Sequence, residues 1–168
     1  MLFKKTLLAS ALLALGGVAV SASAATTATF QVKLTVNKAC SITTSGDLNL
    51  GTANADSTTD VTQNASNINV KCSKTTAYKI GLKPSSNSTD GTGTMAGQAT
   101  GNSDTVAYAL YQDAGNSVAW GNTAGTNTQD STGNGNSQNY TVYGKVLAAN
   151  LNVTPDSYAD TVSVNVTY

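Results

Sequence analysis

The chain has 168 residues and a formal charge of zero, and its charged side chains are nine lysines and nine aspartates, with no histidine, arginine or glutamate. That composition excludes Ser-His-Asp and Cys-His nucleophile arrangements, imidazole metal sites and bidentate arginine clamps on phosphate. With 11% charged residues and no basic excess the chain also lacks the patch that nucleic-acid binding requires, whereas abundant Thr, Ser, Asn and Gly with scattered Val and Tyr suits one extracellular β domain.

The first segment supports the compartment. Lys4 and Lys5 form a basic start, residues 6–20 an apolar run, and Ala22-Ser23-Ala24 a small-residue cleavage motif, so residues 1–24 are predicted to be an export signal. The apolar run falls short of the roughly 20 residues needed to span a bilayer and contains Gly16-Gly17, so no transmembrane anchor is expected after cleavage. Loss of Lys4 and Lys5 with the leader leaves seven lysines against nine aspartates, a charge of −2.

In residues 29–36 the apolar Phe30, Val32, Leu34 and Val36 alternate with polar residues, the period of a half-buried strand. At the start of a mature chain such a strand must bury its apolar face either in its own sheet or in a neighbour's, and periodicity alone leaves both open. Residues 37–39 are a polar joint without glycine or proline, a poor composition for a tight reversal onto the same domain. The joint closes a 25–39 segment, and Cys40 opens the domain proper, 40–168.

Cys40 and Cys72 are an even pair in an exported chain, which predicts a disulfide. Two thiolates without histidine make a poor metal site, so neither metal nor cofactor is expected. Cys40-Ser41-Ile42 begins an extended piece, Leu48-Asn49-Leu50-Gly51 follows, and residues 52–64 are a predicted loop. Ile68, Val70 and Cys72 alternate as a strand, and residues 78–83 form another that Pro84 stops. Residues 84–103, rich in Ser, Gly, Asn and Thr, are predicted to be a surface loop. Residues 106–111 form the next strand, with Tyr108 and Tyr111 on opposite faces, and 118–120 a short edge strand. A second polar loop is predicted over 121–138, followed by alternating Tyr140, Val142, Gly144 and Val146, with Leu147 continuing the apolar character. After a turn at 152–156, Tyr158, Val162, Val164, Val166 and Tyr168 give the clearest alternating strand, and no stretch beyond the leader has a helical period.

Six or seven short strands predict an all-β, immunoglobulin-like sandwich. Its last strand runs to the final residue with nothing after it to close the edge, while the other end carries a spare strand. Tyr108, Tyr111, Tyr140, Tyr143 and Trp120 are read as strand and core aromatics rather than a sugar platform. The sequons at Asn64, Asn87, Asn139, Asn152 and Asn165 arise by chance in so Asn- and Thr-rich a chain, and the loop aspartates lack a calcium-loop spacing.

Several stretches resemble the spore coat protein U family, which includes subunits of archaic chaperone-usher pili: FQVKLTVNKAC at 30–40, LNLGT at 48–52, INVKC at 68–72, VAYALYQD at 106–113, YG at 143–144 and YADTVSVNVTY at 158–168. The absence of arginine and the short polar stretch 121–138 depart from the family. The resemblance implies an incomplete immunoglobulin-like pilin held by a periplasmic chaperone and assembled at an outer-membrane usher. In such a subunit Phe30, Val32, Leu34 and Val36 would be donated to a neighbour. Tyr158, Val162, Val164, Val166 and Tyr168 would border the receiving groove and the chaperone edge. The implied function is a structural subunit of a cell-surface fimbrium in adhesion and biofilm formation. A secreted coat or matrix protein and a carbohydrate-binding adhesin module are the alternatives, and no enzyme activity or catalytic residue is expected.

Overall fold

Alternating side chains need two apolar faces to meet, and here they meet between two antiparallel sheets. The computed structural model describes residues 24–168, with the side chains of 64–67 left aside, so the leader lies outside the described residues but for Ala24. Its strands are β1 (Cys40–Ser45), β2 (Val61–Cys72), β3 (Ala77–Pro84), β4 (Thr92–Gly97), β5 (Thr105–Tyr111), β6 (Gln129–Thr132), β7 (Ser137–Val146), β8 (Tyr158–Ala159) and β9 (Val162–Thr167), with one 3-10 turn at Ala148–Asn150. The larger sheet runs β1-β2-β7-β5-β4-β8 and the smaller β6-β3-β9. The fold is thus all-β, an immunoglobulin-like sandwich.

Four of the strands contribute alternate residues to one core. Ile68, Val70 and Cys72 come from β2, Tyr78, Ile80 and Leu82 from β3, Val106, Tyr108 and Leu110 from β5, and Val142 and Val146 from β7, all buried. At about 1.5–3 kcal/mol for each large apolar side chain, this layer is the main source of stability. Trp120 is also buried, and its Nε1 donates to the Ile80 carbonyl at 2.9 Å, so the indole fills the core without an orphaned polar atom.

Nine strands form among the described residues where six or seven were predicted, and the additions lie in stretches predicted to be loops. β4 falls inside 84–103, β6 and the start of β7 fall inside 121–138, and β2 begins at Val61, inside the predicted 52–64 loop. These segments are polar because main-chain pairing holds them. β6 is Gln-Asp-Ser-Thr, paired along β3 from Ile80↔Gln129 to Ala77↔Thr132 and tied to it by the Lys79–Asp130 ion pair. The predicted strand at 118–120 reduces to a single bridge, Tyr111↔Ala119. Leu147 leaves the core and is half exposed.

The predicted last strand, 158–168, is two strands in different sheets. Tyr158–Ala159 pairs with β4, and Val162–Thr167 pairs with β3. The crossover falls at Asp160-Thr161, where a carboxylate interrupts the apolar alternation and accepts a hydrogen bond from the Tyr108 hydroxyl.

Gly93 on β4 makes room for that tyrosine. A Cβ there would lie 2.4 Å from Tyr108 Cζ and 2.5 Å from its hydroxyl oxygen. Because the ring is buried and tethered to Asp160, it cannot swing aside cheaply. Gly93→Ala should therefore destabilise the domain by about 1–3 kcal/mol through overpacking, read as a Tm lowered by roughly 2–12 °C in a calorimetric scan. An unchanged Tm would show that Tyr108 is free to move.

Candidate functional site

The two strands of the smaller sheet that face the core are buried unequally. Val162, Val164 and Val166 of β9 pair with Pro84, Leu82 and Ile80 of β3. The β3 residues are essentially inaccessible, whereas the three valines are only partly buried. β3 has neighbours on both sides; β9 is an edge strand with none on its outer side among the described residues. Beside it opens a cleft of about 420 Å³ between the sheets, walled by Val162, Val164 and Leu82 from one sheet and by Ile68, Tyr108, Leu110 and Val142 from the other. A second cleft, of about 910 Å³, continues under residues 47–56 and is floored by Val61, Val106, Val146, Leu151 and Val153. Leu48, Leu50, Met95 and Tyr158 line both, so the two are parts of one trough.

Residues 36–168 form one compact unit, and residues 24–35 fall in another. The latter carry no strand or helix. Phe30, Val32, Leu34 and Val36 are 88%, 85%, 86% and 81% exposed, well above Val118 and Leu147 at 49% each. The period-two pattern predicted a strand at 29–36; no pairing forms there, and Phe30, Val32, Leu34 and Val36 all stay in water. Phe30 to Val36 would span about 23 Å as a strand and β9 about 20 Å, so the two match in length.

The segment's root is fixed. The Cys40–Cys72 disulfide joins directly paired residues of β1 and β2, and the Ser73 amide donates to the Ala39 carbonyl at 2.9 Å. The predicted disulfide is thus present, between the residues predicted to form it.

Of the residues assigned to the groove edge, Val162 and Val164 line the cleft, Val166 continues the same face, and Tyr158 lines both clefts from β8. Tyr168 lies beyond β9 and is 52% exposed. Sequence reasoning missed the contributions of Ile68, Tyr108, Leu110 and Val142 from the facing sheet. Their alternation marks them as core, and the open edge at β9 makes them cleft residues.

A set of aspartates fixes the turn that delivers β8 and β9. Asp104 accepts from the Thr154 amide at 2.9 Å and from the Thr154 hydroxyl, while Asp156 accepts from the Ala99 amide at 2.8 Å and from Asn102 Nδ2 at 2.7 Å. The Tyr158 hydroxyl donates to the Thr154 carbonyl at 2.6 Å. Hydrogen bonds from Thr154 hold the Asp104 carboxyl below its ordinary value, and those from Ala99 and then Asn102 do the same for Asp156. Burial, and then the Asp160 carboxylate, push the Tyr108 phenol far above its usual range, so it remains a donor.

Carboxylates depressed in the folded state bind fewer protons there than in the unfolded chain, so their stabilisation is complete above the ordinary value of 3.8 and is lost as pH falls through the lower folded values. The urea midpoint should therefore fall between pH 5 and pH 2, and Asp104→Asn with Asp156→Asn should flatten that part of the profile. A profile unchanged by the double substitution would show that these contacts add nothing.

Among the described residues, no three or more of His, Cys, Asp or Glu gather to hold a metal, and no helix is long and apolar enough to cross a membrane. The chemistry on offer is apolar burial and main-chain pairing along β9.

Comparison with known proteins bears on the same features. The family profile described as the Spore Coat Protein U domain matches residues 26–165. None of the curated proteins matches the chain. Among solved structures, the fold is similar to a chain of the "Crystal structure of CsuC-CsuE chaperone-tip adhesion subunit pre-assembly complex from archaic chaperone-usher Csu pili of Acinetobacter baumannii", with TM-score 0.53 and 20% identity. The alignment covers 80% of this chain and 41% of that one, so this chain spans less than half of the matched chain's length.

Proposed function

This chain belongs to the Spore Coat Protein U domain family, and from that premise we propose that it is a structural subunit of an exported, archaic chaperone-usher surface fibre that polymerises by strand donation. Residues 25–39 supply the donated strand and its joint, and residues 40–168 the receiving domain. Phe30, Val32, Leu34 and Val36 of one copy pair their backbone along β9 of the next and lower their side chains into its cleft, the mode by which an extended segment augments a sheet edge. A periodic row of apolar side chains in water, in a chain whose edge strand is half-buried against an apolar cleft, is the observation that carries this reading.

Four such side chains contribute roughly 6–12 kcal/mol gross on burial, before the cost of ordering the segment, which is enough for a durable non-covalent joint. Before assembly the same edge, Val162, Val164 and Val166, with Tyr158 across the cleft and Tyr168 beyond the strand's end, takes a strand from a periplasmic chaperone, and an outer-membrane usher exchanges it. The assembled fibre serves adhesion and biofilm formation at the cell surface.

Electron microscopy of the purified exported protein tests the reading. Fibres are expected from the full mature chain and none from a chain lacking residues 26–36. Fibres of ordinary yield from the deletion, or a chaperone-free wild-type monomer that stays single with Phe30 and Leu34 buried in its own interior, would overturn it.

A further inference from the structure

One inner-face position of β7 lacks a side chain. Between the buried Val142 and Val146 stands Gly144, and the space above it is taken by two leucines of residues 46–60, which join β1 to β2. A Cβ built on Gly144 would lie 2.6 Å from Leu48 Cδ2 and 3.1 Å from Leu50 Cδ2. Both leucines are partly buried against the core and both line the trough beside β9. The backbone that carries them belongs to no sheet. Between residues 46 and 59 its hydrogen bonds are short-range, among them the Gly51 amide to Asn49 Oδ1, the Ser57 amide to the Asn54 carbonyl and the Ser57 hydroxyl to the Thr59 carbonyl; at its end Asp60 accepts from the Ala148 amide at 2.9 Å and pairs with Lys145 at 2.9 Å. Two leucines thus sit inside the sandwich on a segment whose hydrogen bonds and ion pairs to other elements, among the described residues, are those of Asp60, and they stand where the two parts of the trough meet.

We infer that Leu48 and Leu50 are a resident plug of the receiving cleft, occupying the floor over Gly144 until an incoming strand displaces them. The inference rests on the strand-donation reading and adds regulation to it. Partial burial of two leucines screens apolar floor that would otherwise face water, and it sets a barrier to uptake that the longer row of donated side chains overcomes. Gly144 is what makes the plug possible, since any larger residue would occupy the leucines' place.

The test uses full mature chain carrying Phe30→Asp and Leu34→Asp, which cannot donate, and a fluorescent peptide of residues 27–38 as the probe. Adding Leu48→Ala with Leu50→Ala should speed peptide uptake on the order of tenfold or more, the loss of two leucines' half-burials from the barrier. Uptake only by the plug-less protein would support the inference equally. An unchanged or slower rate overturns it, since the leucines would then be bystanders or part of the binding wall. No uptake by either protein would overturn the strand-donation reading and the plug with it, an outcome distinct from an unchanged rate. Should the alanine protein fail to fold, methyl NMR on the unsubstituted loop decides. The Leu48 and Leu50 methyl signals should move to solvent-exposed positions as peptide is added, and signals that stay packed while peptide binds refute the plug.

Discussion

Phe30→Asp combined with Leu34→Asp should yield a mature protein that is exported and folded but forms no fibres. Both side chains are almost fully exposed in the single chain, so replacing them removes no core contact and leaves the Tm unchanged within about 1 °C, the effect of a surface substitution. In a fibre joint the same changes forfeit about 3–6 kcal/mol of apolar burial and place two carboxylates in an apolar cleft, where desolvation of an unpaired charge costs more than the burial contributed. The joint would lose most of its gross 6–12 kcal/mol. Negative-stain microscopy and sedimentation of the two proteins at equal concentration make the comparison. Wild-type fibre yield from the double variant would remove the assembly role from this segment.

Cys40→Ser with Cys72→Ser should produce the largest loss in the folded domain itself. The bridge closes a separation of 32 residues, for which chain entropy assigns roughly 3–4 kcal/mol, a large fraction of the 5–15 kcal/mol typical of a small domain. In urea the midpoint should fall by about 1–4 M, with a steeper slope because the unbridged denatured chain exposes more surface. The effect should be concentrated at β1, an edge strand whose only sheet partner among the described residues is β2. Hydrogen exchange should show Ser41 to Ser45 opening before β2 does, because the bridge ties the first residue of β1 to its partner. An unchanged midpoint would mean that the backbone ladder alone secures this edge.

The strands whose inner residues are bulky were legible in the sequence. Ile68 and Val70, Val106 and Leu110, Val142 and Val146, and Val162 and Val164 declare a period of two, and each pair points inward. β4 escaped because its inner face is shaped around another residue: Gly93 is bare so that Tyr108 can lie over it, and bareness reads as a loop. β6 escaped because an edge strand held by main-chain pairing needs no apolar side chains. The break at Asp160-Thr161 went unread, although an aspartate at an inward parity was its signal; the Tyr108 hydroxyl that satisfies it lies 52 residues earlier. At the candidate site, the row from Phe30 to Val36 and the face of β9 were visible from alternation. The facing wall, and the two leucines over Gly144, depend on which sheet each strand joins, and local pattern does not carry that information.

The polarity of β6 has a consequence for filament shape. The sheet that holds β9 has two borders; one is backed by a hollow, and the other is four polar residues long, with Asp130 held by Lys79. Charge and brevity make that second border a poor template for further pairing. Under the strand donation proposed above, growth at this sheet is expected to proceed head to tail from the β9 border, as thin, unbranched threads rather than a lateral mat.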